Sequence, residues 1–539
     1  MQKKLSFKEL LMKYIRANEN VQSFLNNKLV VKRGFETLDI SRGIDWNYQH
    51  KHNTATYQTY LHSLGIVNDL MTVSRKDENI ELEKYAKDII LDWHKKNSLD
   101  SKNYAWKEHP VSSRINNIIS FQSSSVKYKL SNRDFKNILI SHCEYLNDER
   151  YYKFNNHGLM MDNALLNASK FIKDEDKKTL YINKALYRVR YAIRRDFSRK
   201  GVHLENSPEY HRMVLTIYKS VERKLKELKV KLGDQESEIL KLAHDYKKRI
   251  IQPNQLYPMI GDTGKISDPK IKKDFRNFYD SEAGIAIFNN INEEDNQKST
   301  MLVFKSGYHN KTHKHFDDLS SYLYIDGQEL LIDSGKYSYS TKDPIRQHLI
   351  SPKAHNTIFI SGKDYKLVNP VKEQFKMKLT KSIIRPRYKL VVGVNKLYKG
   401  VSLTRYNILT KENIYIIIDR VVSADEEVSY QNFNLNEEAV VKKIDDLTYE
   451  VDLDTEQFLI QTFERYNSKL HSNIERGYIS RSFANYQENN RVVFNQTSKN
   501  ATYITAIYNK NNNKKLNEIK LRRNNLIYSI DGEETIVEL

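Results

Sequence analysis

Residues 309–356 read HNKTHKHFDDLSSYLYIDGQELLIDSGKYSYSTKDPIRQHLISPKAHN. Within this stretch, LSSYLYID and ELLID have the composition of two β-strands, and Asp326-Gly327 between them supplies the positive φ that a tight hairpin turn requires. Such a hairpin would bring residues that are 20 positions apart (333 minus 313) close together in space. The stretch therefore predicts antiparallel β-structure at this point of the chain.

Four residues around the predicted hairpin are of types that bind metal ions: His313, His315, Asp333 and His355. Neutral imidazole and carboxylate groups suit Zn²⁺ or a similar divalent ion, and two His with one Asp is a common ligand set. The alternative interpretation is that they are ordinary polar side chains at strand ends, because histidine often occupies a surface or a hydrogen-bonded core position. The residue types alone leave both interpretations open.

The chain changes character on either side of Pro253. Residues 1–252 contain repeated amphipathic segments with apolar residues at three- and four-residue spacing, which predicts packed helical hairpins. Residues 253–539 contain many short β-rich runs, such as ENIYIIIDRVV and ATYITAIY, and no βαβ alternation. We therefore expect an α+β multidomain protein with a helical domain, residues 1–252, and an antiparallel β-sandwich, residues 253–539.

The composition restricts the partners. The net charge is +20, and a strongly positive field attracts polyanions such as nucleic acids and acidic polysaccharides. No helix-turn-helix, zinc-finger or RNP-like pattern is present, so we do not expect nucleic-acid binding. The single cysteine, Cys143, excludes an intramolecular disulfide framework.

The sequence predicts no membrane span, because no stretch approaches about 18 apolar residues. The first 20 residues are charged throughout and lack the apolar segment of a secretory signal. We expect a cytoplasmic protein as given, or a periplasmic or secreted one if a leader has been removed. The oligomeric state is left open.

Two polar clusters precede predicted helices of the first half, FNNHG at residues 154–158 and NSPEYHR at residues 206–212. Helix N-termini present free N–H groups and a positive dipole end, so polar groups there are well placed to meet an anion. Ordinary capping is the alternative, with Asn156 or Ser207 as the N-cap and Pro208 in the first turn.

The order of these motifs resembles that of the heparinase II/III family of polysaccharide lyases. The resemblance covers about residues 40–360 and rests on several motifs: GIDWN at 43–47, HPVSSRINNIISF at 109–121, NNHG at 155–158, SPEYHR at 207–212, GD at 261–262, HKHFDD at 313–318, LIDSGKYSY at 331–339 and AHNT at 354–357. Beyond residue 365 only the β-rich character is similar.

The resemblance implies an incomplete (α/α) toroid followed by an antiparallel β-sandwich, with the active site between them. It also implies cleavage of a uronic-acid-containing polysaccharide by β-elimination. The positions that match the family's catalytic residues are Asn156, His157, Tyr210 and His313. Those that match its metal ligands are His315, Asp333 and His355.

The chemistry of β-elimination suits these residue types. Asn156, with His157, would hydrogen-bond the uronate carboxylate and stabilise the enolate-like charge that develops when C5 loses its proton. Tyr210 and His313 would be the acid and base pair, in an order that the sequence leaves open. We expect Arg114 and Arg212 to bind a carboxylate or sulfate, with surface salt bridges as the alternative.

The metal, expected to be zinc, would have a structural rather than a catalytic role, because elimination needs no metal-bound water. No organic cofactor is expected. The function predicted is that of a lyase acting on an acidic polysaccharide or oligosaccharide, with capsule or exopolysaccharide metabolism as one setting for it. Two alternatives remain: a protein that binds an acidic glycan without cleaving it, and a zinc-dependent hydrolase, which lacks an HExxH motif here.

Overall fold

The protein is described from a computed structural model, in which residues 7–51, 53–97, 104–340, 342–367, 373, 375–463, 470–511 and 514–539 are described. The chain forms two compact units. The helical unit contains residues 1–195 and 216–236, and the β unit contains residues 196–215 and 237–539. These units differ from the single predicted boundary at 252/253, since residues 196–215 and 237–252 belong to the β unit.

The physical reason lies in the contacts of residues 196–215. Ser198 donates a hydrogen bond to Asp280 (2.6 Å), and the Nδ2 of Asn206 donates to the carbonyl oxygen of Asn310 (2.6 Å). Both partners lie far along the chain in the β unit. Sequence periodicity marks the type of an element and carries no information on such long-range partners.

The helical prediction for the first half is confirmed by the described helices, which use their apolar faces as the core. In α5, for example, Val111, Ile115 and Ile118 are fully buried at helical spacing. The helices up to the end of this region are α1 (Phe7–Leu25), α2 (Thr54–Leu61), α3 (Gly65–Asp77), α4 (Glu81–Lys96), α5 (Glu108–Ser124), α6 (Asn132–Asn147), α7 (Asn156–Ser169), α8 (Glu175–Asp196), α9 (Pro208–Glu227) and α10 (Asp234–Ile250). A two-residue ladder joins β1 (Lys28–Leu29) to β2 (Leu38–Asp39).

The strands of the β unit pair with their neighbours in antiparallel orientation. They are β3 (Phe278–Asp280), β4 (Ile285–Asn290), β5 (Thr300–Lys305), β6 (Ser320–Ile325), β7 (Gln328–Leu331), β8 (Ile358–Ile360), β9 (Met377–Ile384), β10 (Tyr388–Asn395), β11 (Val401–Thr410), β12 (Tyr415–Asn434), β13 (Val440–Lys443), β14 (Thr448–Leu453), β15 (Glu456–Thr462), β16 (His471–Ser482), β17 (Asn485–Asn509), β18 (Leu516–Arg522), β19 (Asn525–Ile530) and β20 (Glu533–Glu538). A short helix, α11 (Pro344–Ile350), interrupts them.

Three sheets form from these strands. One has five strands in the order β3-β4-β5-β6-β7, and a second has ten, with the main path β13-β14-β15-β17-β12-β11-β10-β9 and with β8 and β16 paired to β12 and β17. A third sheet contains β18, β19 and β20. Because consecutive side chains of a strand point to opposite faces, each large sheet can contribute to two cores.

The cores show that the sheets are layered. Phe288 and Phe304 of the five-stranded sheet share one buried cluster with Phe433 and Phe494 of the ten-stranded sheet. The opposite face of the ten-stranded sheet packs on the three-stranded sheet, and the opposite face of the five-stranded sheet packs on α10. This layering explains why strands such as β5 are buried on both faces.

The predicted hairpin is confirmed. Strands β6 and β7 pair antiparallel, and the turn residues Asp326 (φ +48°) and Gly327 (φ +90°) both have positive φ. The turn is therefore of the type that fits the right-handed twist of its strands. It fixes the segments on either side of β6 and β7, from which the candidate site is built.

Candidate active site

The first turn of α9 positions Tyr210 in the β unit. The helix begins after Ser207, whose carbonyl oxygen accepts from the N–H of His211 (3.0 Å) and whose hydroxyl oxygen accepts from the N–H of Tyr210 (3.4 Å). The Ser207 hydroxyl also contacts the hydroxyl of Thr263 at 2.7 Å. Ser207 is thus an N-cap that is itself held by a distant loop.

Tyr210 stacks on His313. The two ring centroids lie 3.5 Å apart with an interplanar angle of 19°, and the Tyr210 hydroxyl is 2.6 Å from that of Tyr339. Burial, followed by the hydrogen bond to Tyr339, raises the pKa of Tyr210 well above its usual value. The phenol therefore carries its proton at neutral pH and is poised as a donor.

His313 has an unusual backbone conformation, with φ +57°. Non-glycine residues seldom adopt positive φ, and the cost is accepted where the surroundings hold the residue in place. Asn206 holds this segment, because its side-chain amide donates to the carbonyl oxygens of Asn310 (2.6 Å) and Thr312 (3.0 Å). At Gly261 (φ +56°), a Cβ atom would lie 2.7 Å from the carbonyl oxygen of His313, so only glycine fits there.

The segment that carries His313 is also tied down by buried charges. Lys314 Nζ lies 2.8 Å from an oxygen of Asp318 and also contacts Asp317, and Lys305 Nζ lies 3.1 Å from Asp317. Buried ion pairs of this kind hold geometry well, because removing one partner leaves the other charge uncompensated. His313 and His315 consequently point away from the side on which Lys314 is buried, toward Asp262.

Asp262 is the acceptor that joins the two histidines. One carboxylate oxygen lies 3.1 Å from Nδ1 of His313, and the other lies 3.0 Å from Nε2 of His315. The guanidinium of Arg346 in α11 reaches the same carboxylate, with distances of 2.5 and 3.3 Å. Burial disfavours a charged Asp262, but the hydrogen bonds from the histidines and Arg346 outweigh it and hold the pKa of this carboxyl far below its usual value.

This arrangement fixes the tautomer of His313 when the ring is neutral. A proton on Nδ1 is donated to Asp262, so Nε2 is the nitrogen that remains for proton exchange. The carboxylate of Glu205 lies 3.7 Å from Nε2, which is beyond hydrogen-bond length. The site thus presents a protonated phenol and an imidazole nitrogen side by side.

The predicted metal ligands also meet, in a buried position beside this centre. Nδ1 of His355 contacts a carboxylate oxygen of Asp333, and the rings of His355 and His315 are 5.4 Å apart. Nδ1 of His315 lies 3.3 Å from the hydroxyl of Ser334. In the described part of the chain, however, no group of three or more His, Cys, Asp or Glu side chains has its donors arranged to hold a metal ion.

In the helical unit, Asn156 and His157 lie at the start of α7. The N-cap is Asn155, whose side chain accepts from the N–H of His157 (2.9 Å), so Asn156 is the first helical residue and not the cap. Nδ1 of His157 lies 3.0 Å from Glu108, and that hydrogen bond lowers the pKa of Glu108. The structure leaves the catalytic roles of Asn156 and His157 as predictions.

Gly158 completes the same turn. A Cβ atom at this position would lie 1.9 Å from the carbonyl oxygen of Lys153, so the preceding loop can close onto α7 only because the residue is glycine. The motif NNHG is therefore partly explained by local backbone packing.

The burial of Arg114 contradicts its predicted role as a substrate clamp. The side chain is 0% exposed and lies with its guanidinium 3.7 Å from the ring centre of Trp93. It donates to Nε2 of His142 and to the carbonyl oxygens of His62 and Ala105, each at 2.9 Å. Arg114 is a structural residue of the helical core, stabilised by cation–π stacking and by these acceptors.

Arg212 lies in the β unit, one turn of helix from the capped end of α9. Its side chain is partly exposed, and its Nε lies 3.7 Å from Asp268. A weak surface ion pair leaves a guanidinium able to exchange partners. Binding of a substrate anion by Arg212 stays a prediction.

The comparison with protein families agrees with this arrangement. The family model described as the heparinase II/III N-terminus matches residues 7–283, more than half of the chain, and the model described as heparinase II/III-like, C-terminal, matches residues 273–513. The chain belongs to the heparinase II/III family. The resemblance inferred from the motifs is therefore confirmed.

Lyases of known name and structure are similar to this chain over most of its length. A heparin-sulfate lyase of Pedobacter heparinus is 20% identical over an alignment that covers 94% of this chain and 83% of that protein. The crystal structure of a mutant of the heparan sulfate lyase HepC from the same organism has a TM-score of 0.79 at 17% identity, covering 97% of this chain and 89% of that one. A crystal structure of heparinase III has the same TM-score and identity, with 100% and 92% covered. The predicted helical toroid followed by a β-sandwich is thereby confirmed.

Three residues of the site were missed as functional residues by the sequence analysis: Asp262, Tyr339 and Arg346. Asp262 lies in a Pro- and Gly-rich segment without helical or strand periodicity, and it entered only as part of the Gly261-Asp262 motif of the family resemblance. Tyr339 was noted only as part of a motif. Arg346 gave no local signal, because its partner is 84 residues away.

Proposed function

We propose that this heparinase II/III chain is a polysaccharide lyase that cleaves a uronic-acid-containing glycosaminoglycan by β-elimination, with heparan sulfate or heparin as the substrate class. The observation that carries the proposal is the stacked pair of Tyr210 and His313, with its hydroxyl held by Tyr339 and its imidazole held by Asp262. Family membership and the activity in the names of its relatives support the class of reaction.

In the proposed reaction, Nε2 of His313 accepts the proton from C5 of the uronate. The C4–O bond then breaks, a double bond forms between C4 and C5, and the leaving glycosidic oxygen takes the proton of the Tyr210 hydroxyl. The resulting phenolate accepts a hydrogen bond from Tyr339, 2.6 Å away in the resting state. Proton exchange with water returns both residues to their starting forms.

Removal of the C5 proton requires that the charge developing on the uronate carboxylate be stabilised. The family resemblance assigns this task to Asn156 with His157, and the half-buried start of α7 in the helical unit suits such a role. Their free N–H neighbours and the positive end of the helix dipole favour an anion. We retain Arg212 as a candidate for an additional anion contact.

We also propose that His315, Asp333 and His355 hold a structural divalent ion, with zinc as the ion that two imidazoles and one carboxylate suit best. All three are buried, and Nε2 of His355 is a buried nitrogen without a hydrogen-bond partner among the described residues. When bound, the ion would cross-link the segments after β7 and before β8 to the His313–His315 segment. The chain's own residues carry out the proton transfers.

The assignment of acid and base can be tested with the leaving group. A synthetic uronate with a 2,4-dinitrophenyl group on O4 needs no protonation of the departing oxygen. We expect Tyr210→Phe to cleave this substrate at nearly the wild-type rate while losing about 10²–10⁴-fold on a natural glycoside. His313→Ala should be inactive on both, because removal of the C5 proton is still required.

The reverse pattern would overturn this assignment: rescue of His313→Ala and no rescue of Tyr210→Phe would make Tyr210 the base. The substrate class is tested separately by incubating the wild type with heparan sulfate, chondroitin sulfate and alginate. We expect an unsaturated uronate product from heparan sulfate. Cleavage of alginate alone would contradict the proposed substrate class and leave the elimination chemistry intact.

A further inference from the structure

Two exposed aromatic side chains adjoin the Tyr210–His313 pair in the β unit. Tyr339, whose hydroxyl meets that of Tyr210, is 52% exposed, and Phe483 is 56% exposed. Their ring centroids are 5.7 Å apart, and the ring of Tyr339 is 6.2 Å from that of His313. An aromatic surface thus continues outward from the proposed catalytic pair.

This surface is built on a rigid support. Phe483 lies in the tight turn between β16 and β17, where Ala484 has φ +61° and donates its N–H to the carbonyl oxygen of Tyr337 (2.9 Å). The N–H of Ser480 in β16 donates to the carbonyl oxygen of Ser334 (2.8 Å). The Ser480 hydroxyl donates to the carbonyl oxygen of Lys336 (2.6 Å). The turn and the Tyr339 segment are therefore fixed to one another.

Gly335 permits the close approach of the two backbones. It has φ +75°, and a Cβ atom there would lie 2.2 Å from the carbonyl oxygen of Ser480. A glycine is required for this contact, so the sequence maintains the distance between the two segments at the cost of backbone entropy. A fixed turn that presents a large apolar ring to water is unusual, since burying such a ring is favourable.

Two cationic side chains beside the aromatic surface are already paired. Lys336, whose ammonium lies 5.6 Å from the ring centre of Tyr210, bonds Glu209 at 2.9 Å. Arg481, in the arm that carries Phe483, lies 2.7 Å from Glu437 and 3.0 Å from Glu329. The ammonium of Lys336 and the guanidinium of Arg481 are therefore engaged, and Tyr339 and Phe483 offer aromatic faces to a ligand.

We infer that Tyr339 and Phe483 form a sugar-binding subsite, which takes the pyranose ring next to the scissile bond by contact between its C–H face and the aromatic rings. The C–H bonds of a pyranose face are weakly positive and apolar, and they complement the negative face of an aromatic ring. This inference rests on the proposed function, because the continuity with Tyr210 is what selects a glycan. The subsite contacts the apolar face of the sugar ring and does not bind its sulfate groups.

The test is the KM of Phe483→Ala on heparan sulfate oligosaccharides and on the same oligosaccharides after chemical desulfation. We expect KM to rise about fivefold to tenfold on both, with kcat unchanged, since an aromatic contact of ordinary strength is lost. The ratio of variant to wild-type KM should stay constant from low to high salt, because no charge is removed. Phe483→Trp should restore the wild-type KM.

Phe375→Ala is the matched control, because Phe375 is another exposed phenylalanine of the β unit, at 62% exposure. Its KM should equal that of the wild type, and neither alanine variant should change the melting temperature appreciably. An unchanged KM in Phe483→Ala, or a rise that Phe483→Trp does not reverse, would overturn the subsite.

If the wild type cleaves none of these substrates, the proposed function fails. The subsite can still be tested by calorimetry, which measures binding of the same desulfated oligosaccharides to the wild type and to Phe483→Ala. Weaker binding by the variant alone would support the subsite. Equal binding, or none by either protein, would overturn it.

Discussion

Two helix starts in this protein look alike in sequence and differ in structure. The start of α7 carries Asn155, Asn156 and His157, and the start of α9 carries Ser207 and Tyr210. Both have a polar N-cap, and both precede amphipathic helices. By sequence alone, ordinary capping is the better account of each start taken singly.

The difference lies in what comes to them from elsewhere in the chain. At α9, Tyr210 meets His313 and Tyr339, more than 100 residues away, and the cap Ser207 bonds the loop that carries Asp262. At α7, the cap is local, from Asn155 to His157, and the ring of His157 contacts Glu108 of the same unit. A capped helix start becomes a candidate site when distant segments supply chemically matched groups to it.

The largest effect is expected from Tyr210→Phe. The ring and its stacking on His313 remain, and only the proton-donating hydroxyl is lost, so kcat on a natural glycoside should fall about 10²–10⁴-fold with little change in glycan binding or melting temperature. His157→Ala at the other helix start should cost less, since it removes a contributor to charge stabilisation beside Asn156. Steady-state kinetics on heparan sulfate measures both.

An equal loss in the two variants would weaken the distinction between the helix starts. Retention of most activity by Tyr210→Phe would remove Tyr210 from the proposed mechanism altogether.

The next effect concerns the proposed metal site of His315, Asp333 and His355. It lies beside the His313 segment that contacts the start of α9, and the start of α7 has no such site among the described residues. If His355 binds zinc, addition of the metal at about 100 times its Kd should stabilise the wild type by about 2.7 kcal/mol, and His355→Ala should lose both the metal and this gain. Elemental analysis and thermal denaturation with and without Zn²⁺ provide the measurement.

His211→Ala is the control for metal binding, because His211 is a buried histidine of the same unit that bonds the carbonyl oxygen of Ala243 (2.9 Å). His211→Ala should lower the free energy of unfolding by the same amount with and without Zn²⁺, so that the gain from the metal is retained. A wild-type protein whose melting temperature does not respond to Zn²⁺ would contradict the metal site.

The smallest effects are expected from the two caps themselves. Asn155→Ala and Ser207→Ala should each lower the free energy of unfolding by about 1 kcal/mol. Ser207→Ala should in addition lower kcat about threefold to tenfold, since its hydroxyl also bonds the carbonyl oxygen of Asp262 (3.2 Å). Asn155→Ala should leave kcat unchanged.

Chemical denaturation and kinetics on the same samples separate the two outcomes. A loss of kcat in Asn155→Ala, or its absence in Ser207→Ala, would show that the caps do not differ in the way their contacts indicate.

The sequence predicted those parts of the fold that depend on local pattern. The Asp326-Gly327 turn was predictable because few dipeptides adopt two positive φ angles, and the hairpin places Ser334, the residue after Asp333, 3.3 Å from Nδ1 of His315. The change from helices to strands near Pro253 was predictable because the apolar spacing and the residue composition both change there. Composition and periodicity are local properties, and they decide element types.

The remaining features depend on long-range packing. The assignment of residues 196–215 to the β unit and the position of Arg346 beside Asp262 follow from contacts that no local pattern records. Arg114 is different, because a signal was present: it is three residues after Val111 and four before Ile118, on the apolar face of α5. That spacing predicts a buried position, whereas the positive charge suggested a clamp.

The most direct test of the central claim is the structure of the product that the wild-type protein forms from heparan sulfate. We predict that every new non-reducing end carries a double bond between C4 and C5, seen by ultraviolet absorbance, and that the product masses contain no added water. Tyr210→Phe should form no such ends at a comparable rate. Products that contain one added water and lack the absorbance would show hydrolysis, and they would contradict elimination by Tyr210 and His313.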